Sequence, residues 1–197
     1  MPAEHAPVVS KDNLANPAPL GLFGFGMTTV LLNLHNAGFY EMNTMILAMG
    51  LFYGGMAQII AGILEFKKNN TFGMTAFISY GFFWISLVGL ILMGKWGWMN
   101  PTPGTALIAY LIIWGIFTLL LFIGTLRINR ALQFVFASLT ILFFLLAVGD
   151  ATKNESITRI AGIEGIICGG SAIYTGAANL LNEVFGYIIL PLGTVRK

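Results

Sequence analysis

The side chains of this 197-residue chain that could engage a solute are few, mostly uncharged and grouped. Thr29, Asn33 and Asn36 recur at i+4 and i+3, which sets them along one helical face, with Thr28 and His35 beside them. Further along come Tyr53 and Gln58, then Thr75, Ser79 and Ser86, then Gln133, Ser138 and Thr140, and last Ser171, Tyr174 and Asn179. Amides and hydroxyls of this kind hydrogen-bond a small polar solute, and they also tie apolar helices together at about 0.6 kcal/mol each. A lined, partly wet path needs contributions from nearly every helix, and only the stretch near 104–126 offers little. Glu164 is the one acid inside an apolar run, with Arg159 five residues before it; both it and His35 are candidates for a vestibule. Ser171 and His35 are the residue types of a nucleophile and its base. An intramembrane hydrolase built from them would need two groups expected at different depths. A single cysteine, Cys168, excludes an internal disulfide and a multi-thiolate metal site; no metal or cofactor is expected.

The elements that must position these groups are membrane spans. Residues 13–40, 42–64, 69–94, 96–126 and 131–149 contain no Lys, Arg, Asp or Glu, and 160–181 contains only Glu164. About 20 such residues cross roughly 30 Å of hydrocarbon. Hydrophobic residues make up 57% of the chain and charged ones 9%, where a soluble domain carries about 25% charged. The expected fold is an all-α membrane protein: an up-and-down bundle of six transmembrane helices near 19–38, 43–64, 71–93, 104–126, 130–149 and 158–181, joined by short loops. Residues 1–16 and 186–197 are expected to be cytoplasmic tails around a transport domain over 17–185. The opening MPAEHAPVVSKD has neither a basic start nor an apolar core, so it does not read as a cleaved signal peptide. Lys11, Lys67, Lys68, Arg127, Arg130, Arg196 and Lys197 fall on one side, and Lys95, Lys153 and Arg159 on the other. The positive-inside rule then puts both termini in the cytoplasm. A net charge of +2 suggests no nucleic-acid partner.

Small residues recur at helical spacing: Gly50, Gly54 and Gly62 with Gln58, and Ala161, Gly165 and Gly169 continuing to Ala172 and Gly176. Such stripes let helix backbones approach closely and leave room for a solute. No Lys or Arg falls at mid-span, so no fixed cation would trap an anion. The segment Asn16-Pro17-Ala18-Pro19-Leu20-Gly21-Leu22 cannot lie inside a regular helix, because each proline lacks an N–H and restricts its predecessor. It suits a helix start, whose free N–H groups and positive dipole end attract carboxylates.

That segment, NPAPLGL, resembles the signature of the acetate uptake transporter family. The likeness continues collinearly through GFGMTTVLLNLHN (24–36), LAMGLFYGG (47–55), NTFGMTAF (70–77), LQFVFASLT (132–140), GIICGGSAIY (165–174) and LNEVFG (181–186). The resemblance implies six helices per protomer, a homo-hexamer in the inner membrane of a prokaryotic cell, and a pore in each protomer for acetate and other small carboxylates. It implies that Phe52, Tyr53 and Gly54, matching the family's FYG motif, form the constriction. Leu139 and Ala172 occupy positions linked to pore width and substrate size. The chain departs from its bacterial relatives at Glu164.

The expected mechanism is weak-binding permeation, with Thr28, Asn33, Asn36 and Gln58 as polar lining and Phe52, Tyr53 and Leu139 as an apolar ring. Loose binding favours release. A carboxylic acid with a pKa near 4 is mostly ionised at neutral pH, so an apolar middle predicts faster flux in acid. A neutral-solute channel for ammonia, urea or water shares the same cation-free, polar-lined features.

Overall fold

A computed structural model describes residues 14–195. Six helices are long and apolar enough to cross a membrane: α1 (Ala18–Asn36), α2 (Thr44–Lys67), α3 (Thr71–Lys95), α4 (Gly104–Thr125), α5 (Arg130–Thr152) and α6 (Glu155–Phe185). Their starts are written in local sequence. Asn43, Asn70, Asn129 and Asn154 cap α2, α3, α5 and α6, each side chain accepting from a first-turn backbone N–H that has no intrahelical partner. Prolines open the other two, Pro17 before α1 and Pro103 before α4. Asn16 accepts from the Ala18 N–H at 3.1 Å, so NPAPLGL is a helix start.

Two elements differ from expectation. The last helix runs 31 residues, longer at both ends than 158–181. At 1.5 Å per residue it measures about 46 Å, more than a bilayer core, so its polar ends stand in the headgroup layer or beyond. The second helix is not uniform: Met49–Ala57 is π-helical, with regular α-helix on both sides.

Close approach follows the small-residue stripes. A Cβ on Gly26 would lie 2.7 Å from the Gly169 carbonyl oxygen, and one on Gly169 equally near the Gly26 carbonyl, so α1 crosses α6 backbone to backbone. Gly81 meets the Gly55 carbonyl in the same way and brings α3 onto α2. Between α3 and α4 the reverse holds, with large rings filling the gap: Tyr80 against Trp114 and Phe117, Phe83 against Tyr110 and Trp114. The outward face of α4 (Ile113, Ile116, Leu120, Ile123) is exposed, as lipid requires. Trp96 and Trp98 pack together, 5.3 Å between ring centroids, in the loop before α4.

The ends of α2, α4 and α6 share one side of the bundle with the start of α1, here termed proximal; the α1–α2, α3–α4 and α5–α6 connections lie distally. Lys67, Lys68, Arg127 and Arg130 are proximal, and Lys95, Lys153 and Arg159 distal. Lys11, Arg196, Lys197 and positions 1–13 of the expected N-terminal tail lie outside the described residues. Residues 189–193, after Gly186, are tied to the bundle. Asn182 accepts from the Ile189 and Leu190 N–H groups and donates to the Leu190 carbonyl. The Gly193 and Leu192 carbonyls then accept from the Arg130 and Ala131 N–H groups that open α5. The strap satisfies donors that a helix start leaves free.

Candidate functional site

A cavity of about 340 Å³ opens at the proximal end. Its mouth is polar: Asn16 and Ala18 at the start of α1, Glu65 and Lys68 where α2 ends, Asn70, Asn129 and Asn179. Glu65 is 2% exposed and accepts from Asn70 Nδ2 at 2.8 Å. Deeper in, the wall is Leu22, Phe25, Phe77, Tyr80, Phe136 and Leu139, with Gln58 among them. A second cavity of about 530 Å³ opens distally, reaching inward to Leu32, Phe83, Leu111 and Leu146, with Asn36, Lys95 and Asp150 also on its wall.

The two cavities face each other. Phe25 lines the first and Leu32 the second; so do Leu139 and Leu146. Residues seven apart share a helix face, about 10 Å along the axis. On α3 the step from Tyr80 to Phe83 is less than one turn. Between these levels Thr28 on α1 and Leu142 and Phe143 on α5 are buried and line neither cavity. Phe25 and Tyr80 stand 5.8 Å apart at the end of the proximal cavity, with Leu139 3% exposed on the same wall. Thr118 Oγ1 gives its only proton to the Trp114 carbonyl at 2.7 Å, so the Tyr80 hydroxyl must donate to Thr118, 2.8 Å away. That bond fixes the ring.

The residues singled out in the sequence separate into groups. Leu139 and Gln58 line the proximal cavity and Asn36 the distal one. Thr28 and Asn33 are buried and line neither: Thr28 Oγ1 bonds the Met49 carbonyl, and Asn33 bonds the Thr29 carbonyl and Asn36. Ala172 is fully buried in the packing of α6. Phe52 is 62% exposed, and neither it nor Tyr53 lines either of these two cavities, while Gly54 packs on Thr28 and Trp84. Within this protomer Phe25, Tyr80 and Leu139, and not Phe52 or Tyr53, line the inner end of the proximal cavity. The cause is local. The π-helical turns put Gly50, Gly54 and Gly55 inward, which sends Phe52 out. Phe25 was legible one turn before Thr28 and Thr29. Tyr80 was legible on the row Gly73, Ala76, Tyr80 and Trp84, all buried.

Several hydroxyls expected to wet a path are used on their own helices. Ser138, Thr140 and Ser171 donate to the carbonyls of Val135, Phe136 and Cys168, the nearest acceptors in a span. His35 Nδ1–H donates to the Tyr40 carbonyl at 2.9 Å and shares a distal pocket with Asp150, Lys153, Glu155 and Arg159. The Tyr40 phenol donates to the Leu31 carbonyl, and desolvation raises it above its ordinary value. Ser171 faces a proximal groove with Arg130 and Tyr174, so it and His35 belong to opposite ends and make no catalytic pair. Glu164 is half-buried on α6, its Oε2 without a hydrogen-bond partner, and lines no cavity described above. Among the described residues no cluster of His, Cys, Asp and Glu could hold a metal.

Comparison with known proteins bears on the whole chain. It is 58% identical over 185 residues to the succinate-acetate/proton symporter SatP of Escherichia coli K12, covering 94% of this chain and 98% of that one. It is 35% identical to ammonia transport outward protein 2 of Saccharomyces cerevisiae, covering 89% of this chain and 65% of that protein. Acetate permease A of Emericella nidulans is 32% identical, with 93% and 67% covered. The solved structure of the bacterial acetate channel SatP superposes with a TM-score of 0.90 at 58% identity, covering 91% of this chain and 99% of that one. The family description GPR1/FUN34/yaaH matches residues 2–196, and the chain belongs to that family.

Proposed function

We propose that this protein is a membrane conduit for acetate and other small monocarboxylates, with succinate a poorer substrate, and that each protomer carries its own path. The observation that carries this is the pair of cavities drawn from the same faces of α1, α3 and α5, separated by an apolar layer with no fixed cation. An ion in that layer has no counter-charge, whereas a small acid's methyl group matches Phe25, Tyr80 and Leu139. The names of the bacterial relative and of the solved channel point the same way.

The polar mouth around Asn16 and the start of α1 is the site where a carboxylate is first met, its free N–H groups and dipole favouring an anion. Phe25, Tyr80 and Leu139 set the width, Gln58 and Asn36 supply polar contacts, and His35 lies in the distal vestibule. Thr28, Asn33, Gly54 and Ala172 act behind the wall, by packing. Phe52 faces outward and, with the half-buried Tyr53 beside it, belongs to the contact with lipid or with other protomers of a homo-hexamer; Glu164, its Oε2 buried without a partner, stands apart from both cavities. Both termini lie in the cytoplasm of a prokaryotic cell. The test is radiolabelled acetate uptake into proteoliposomes under an imposed pH gradient. Saturable uptake, accelerated in acid and competed by propionate, is the expected result; uptake no faster than in empty liposomes would sink the proposal.

The yeast relative named for ammonia transport supports a second reading, in which the same uncharged layer passes ammonia. Alkalinisation of the liposome interior on an ammonium pulse, unaffected by acetate, would favour it.

A further inference from the structure

At the narrow end of the proximal cavity the wall is apolar apart from Tyr80 and one amide, Gln58, which is 1% exposed. Its orientation is dictated by its partner. The Gly54 carbonyl oxygen 2.6 Å away can only accept, so the group facing it is the Nε2 amine. That leaves Oε1 buried with no hydrogen-bond partner among the described residues. A buried acceptor left unpaired is costly, and it belongs to a residue in the lining of the cavity that a substrate would have to pass. A carboxylate offers acceptors alone and would meet Oε1 lone pair to lone pair. The protonated acid carries an O–H.

We infer that Gln58 Oε1 selects the protonated, uncharged form of the substrate acid at the constriction, so that the proton crosses bound to the substrate and not on a side chain. The inference rests on the reading of the chain as a conduit for small acids. Around Gln58, α3 brings one titratable group, Tyr80, whose proton is given to Thr118. Neither α1, α5 nor α6 brings a charged side chain to this cavity. On α2 itself Glu65 and Lys68 stand at the mouth, Glu65 two turns from Gln58 and held by Asn70. Glu65 is therefore the rival proton carrier.

The experiment uses the purified full chain in proteoliposomes and radiolabelled acetate. Three competitors of similar size divide the chemistry: acetamide, neutral with an N–H donor; acetone, neutral without one; and trifluoroacetate, ionised throughout. Uptake should fall about tenfold per pH unit above the acid's pKa near 4. Acetamide should inhibit equally at pH 5 and pH 7, and acetone and trifluoroacetate should not. Gln58→Met keeps the length and removes the acceptor; it should weaken inhibition by acetamide and slow acetate uptake at pH 5, each by about fivefold, the effect of one neutral hydrogen bond. Glu65→Gln should keep the pH slope whatever its rate. Trifluoroacetate competing as well as acetamide in the unmutated protein would overturn the inference without any variant. So would undiminished acetamide inhibition in Gln58→Met, or a flat pH profile in Glu65→Gln. Absence of saturable acetate uptake at every pH would instead defeat the reading of the chain as an acid conduit.

Discussion

Leu139 is the residue on which selectivity by size should turn. It is 3% exposed, lines the cavity where it narrows, and is opposed by Phe25 and Tyr80, which are held by ring contacts on other helices. Leu139→Ala removes methyl groups from that ring, and the succinate-to-acetate uptake ratio should rise by about tenfold, the scale of a methylene-sized change in an apolar pocket. Competition between the two labelled acids measures it. Phe52→Ala, on the outward side of α2, should leave the ratio where it is. Tyr80→Phe removes one buried hydrogen bond while Thr118 keeps its bond to Trp114. It should cost about 1 kcal/mol of stability, read as a lowered unfolding temperature in detergent.

Among the elements, α1 and α6 form the least forgiving pair. Their crossing at Gly26 and Gly169 leaves no space for a Cβ on either side, because the obstacle is a backbone carbonyl and not a movable side chain. Gly169→Val should cost more than the 1–3 kcal/mol typical of an overpacked core and appear as loss of monodisperse protein on size exclusion. The strap after Gly186 depends on Asn182, which makes three hydrogen bonds to residues 189 and 190. Asn182→Ala should free the strap at about 1 kcal/mol per bond lost, and hydrogen exchange at the Arg130 and Ala131 amides should rise with it. The π-helical stretch Met49–Ala57 is a third such feature, since π turns inside α-helices occur frequently at functional sites.

For the molecule as a whole, two cavities entering from opposite ends and meeting at a closed layer describe a shut conduit. With Lys67, Lys68, Arg127 and Arg130 gathered proximally, the positive-inside rule predicts that this end is the cytoplasmic one. A cysteine-labelling experiment checks this cleanly, because the one native thiol, Cys168, is fully buried. Lys153→Cys should react with a membrane-impermeant maleimide on intact cells. Arg127→Cys should react only after permeabilisation. The opposite pattern would invert the molecule and make the NPAPLGL mouth face outward.

Much of this was legible in residues alone. Uncharged runs, the proline-marked start of α1 and glycine stripes are local or periodic signals, and hydrocarbon leaves a chain few alternatives to fully hydrogen-bonded helices. Helix starts at Thr44, Thr71, Gly104 and Arg130 follow from such signals within a residue. The signature at Asn16–Leu22 and the matches beyond it carried the family. What no periodic reading could supply was which polar groups face the path. In a span a hydroxyl can satisfy itself on the preceding turn, and the pattern of types is the same whether it does so or not. Nor does a wheel of regular α-helical period hold through Met49–Ala57, where Phe52 and Tyr53 leave the wall to Phe25 and Tyr80. Pathway geometry is set by how helices rotate against one another, and that rotation is decided by contacts between residues far apart in the chain.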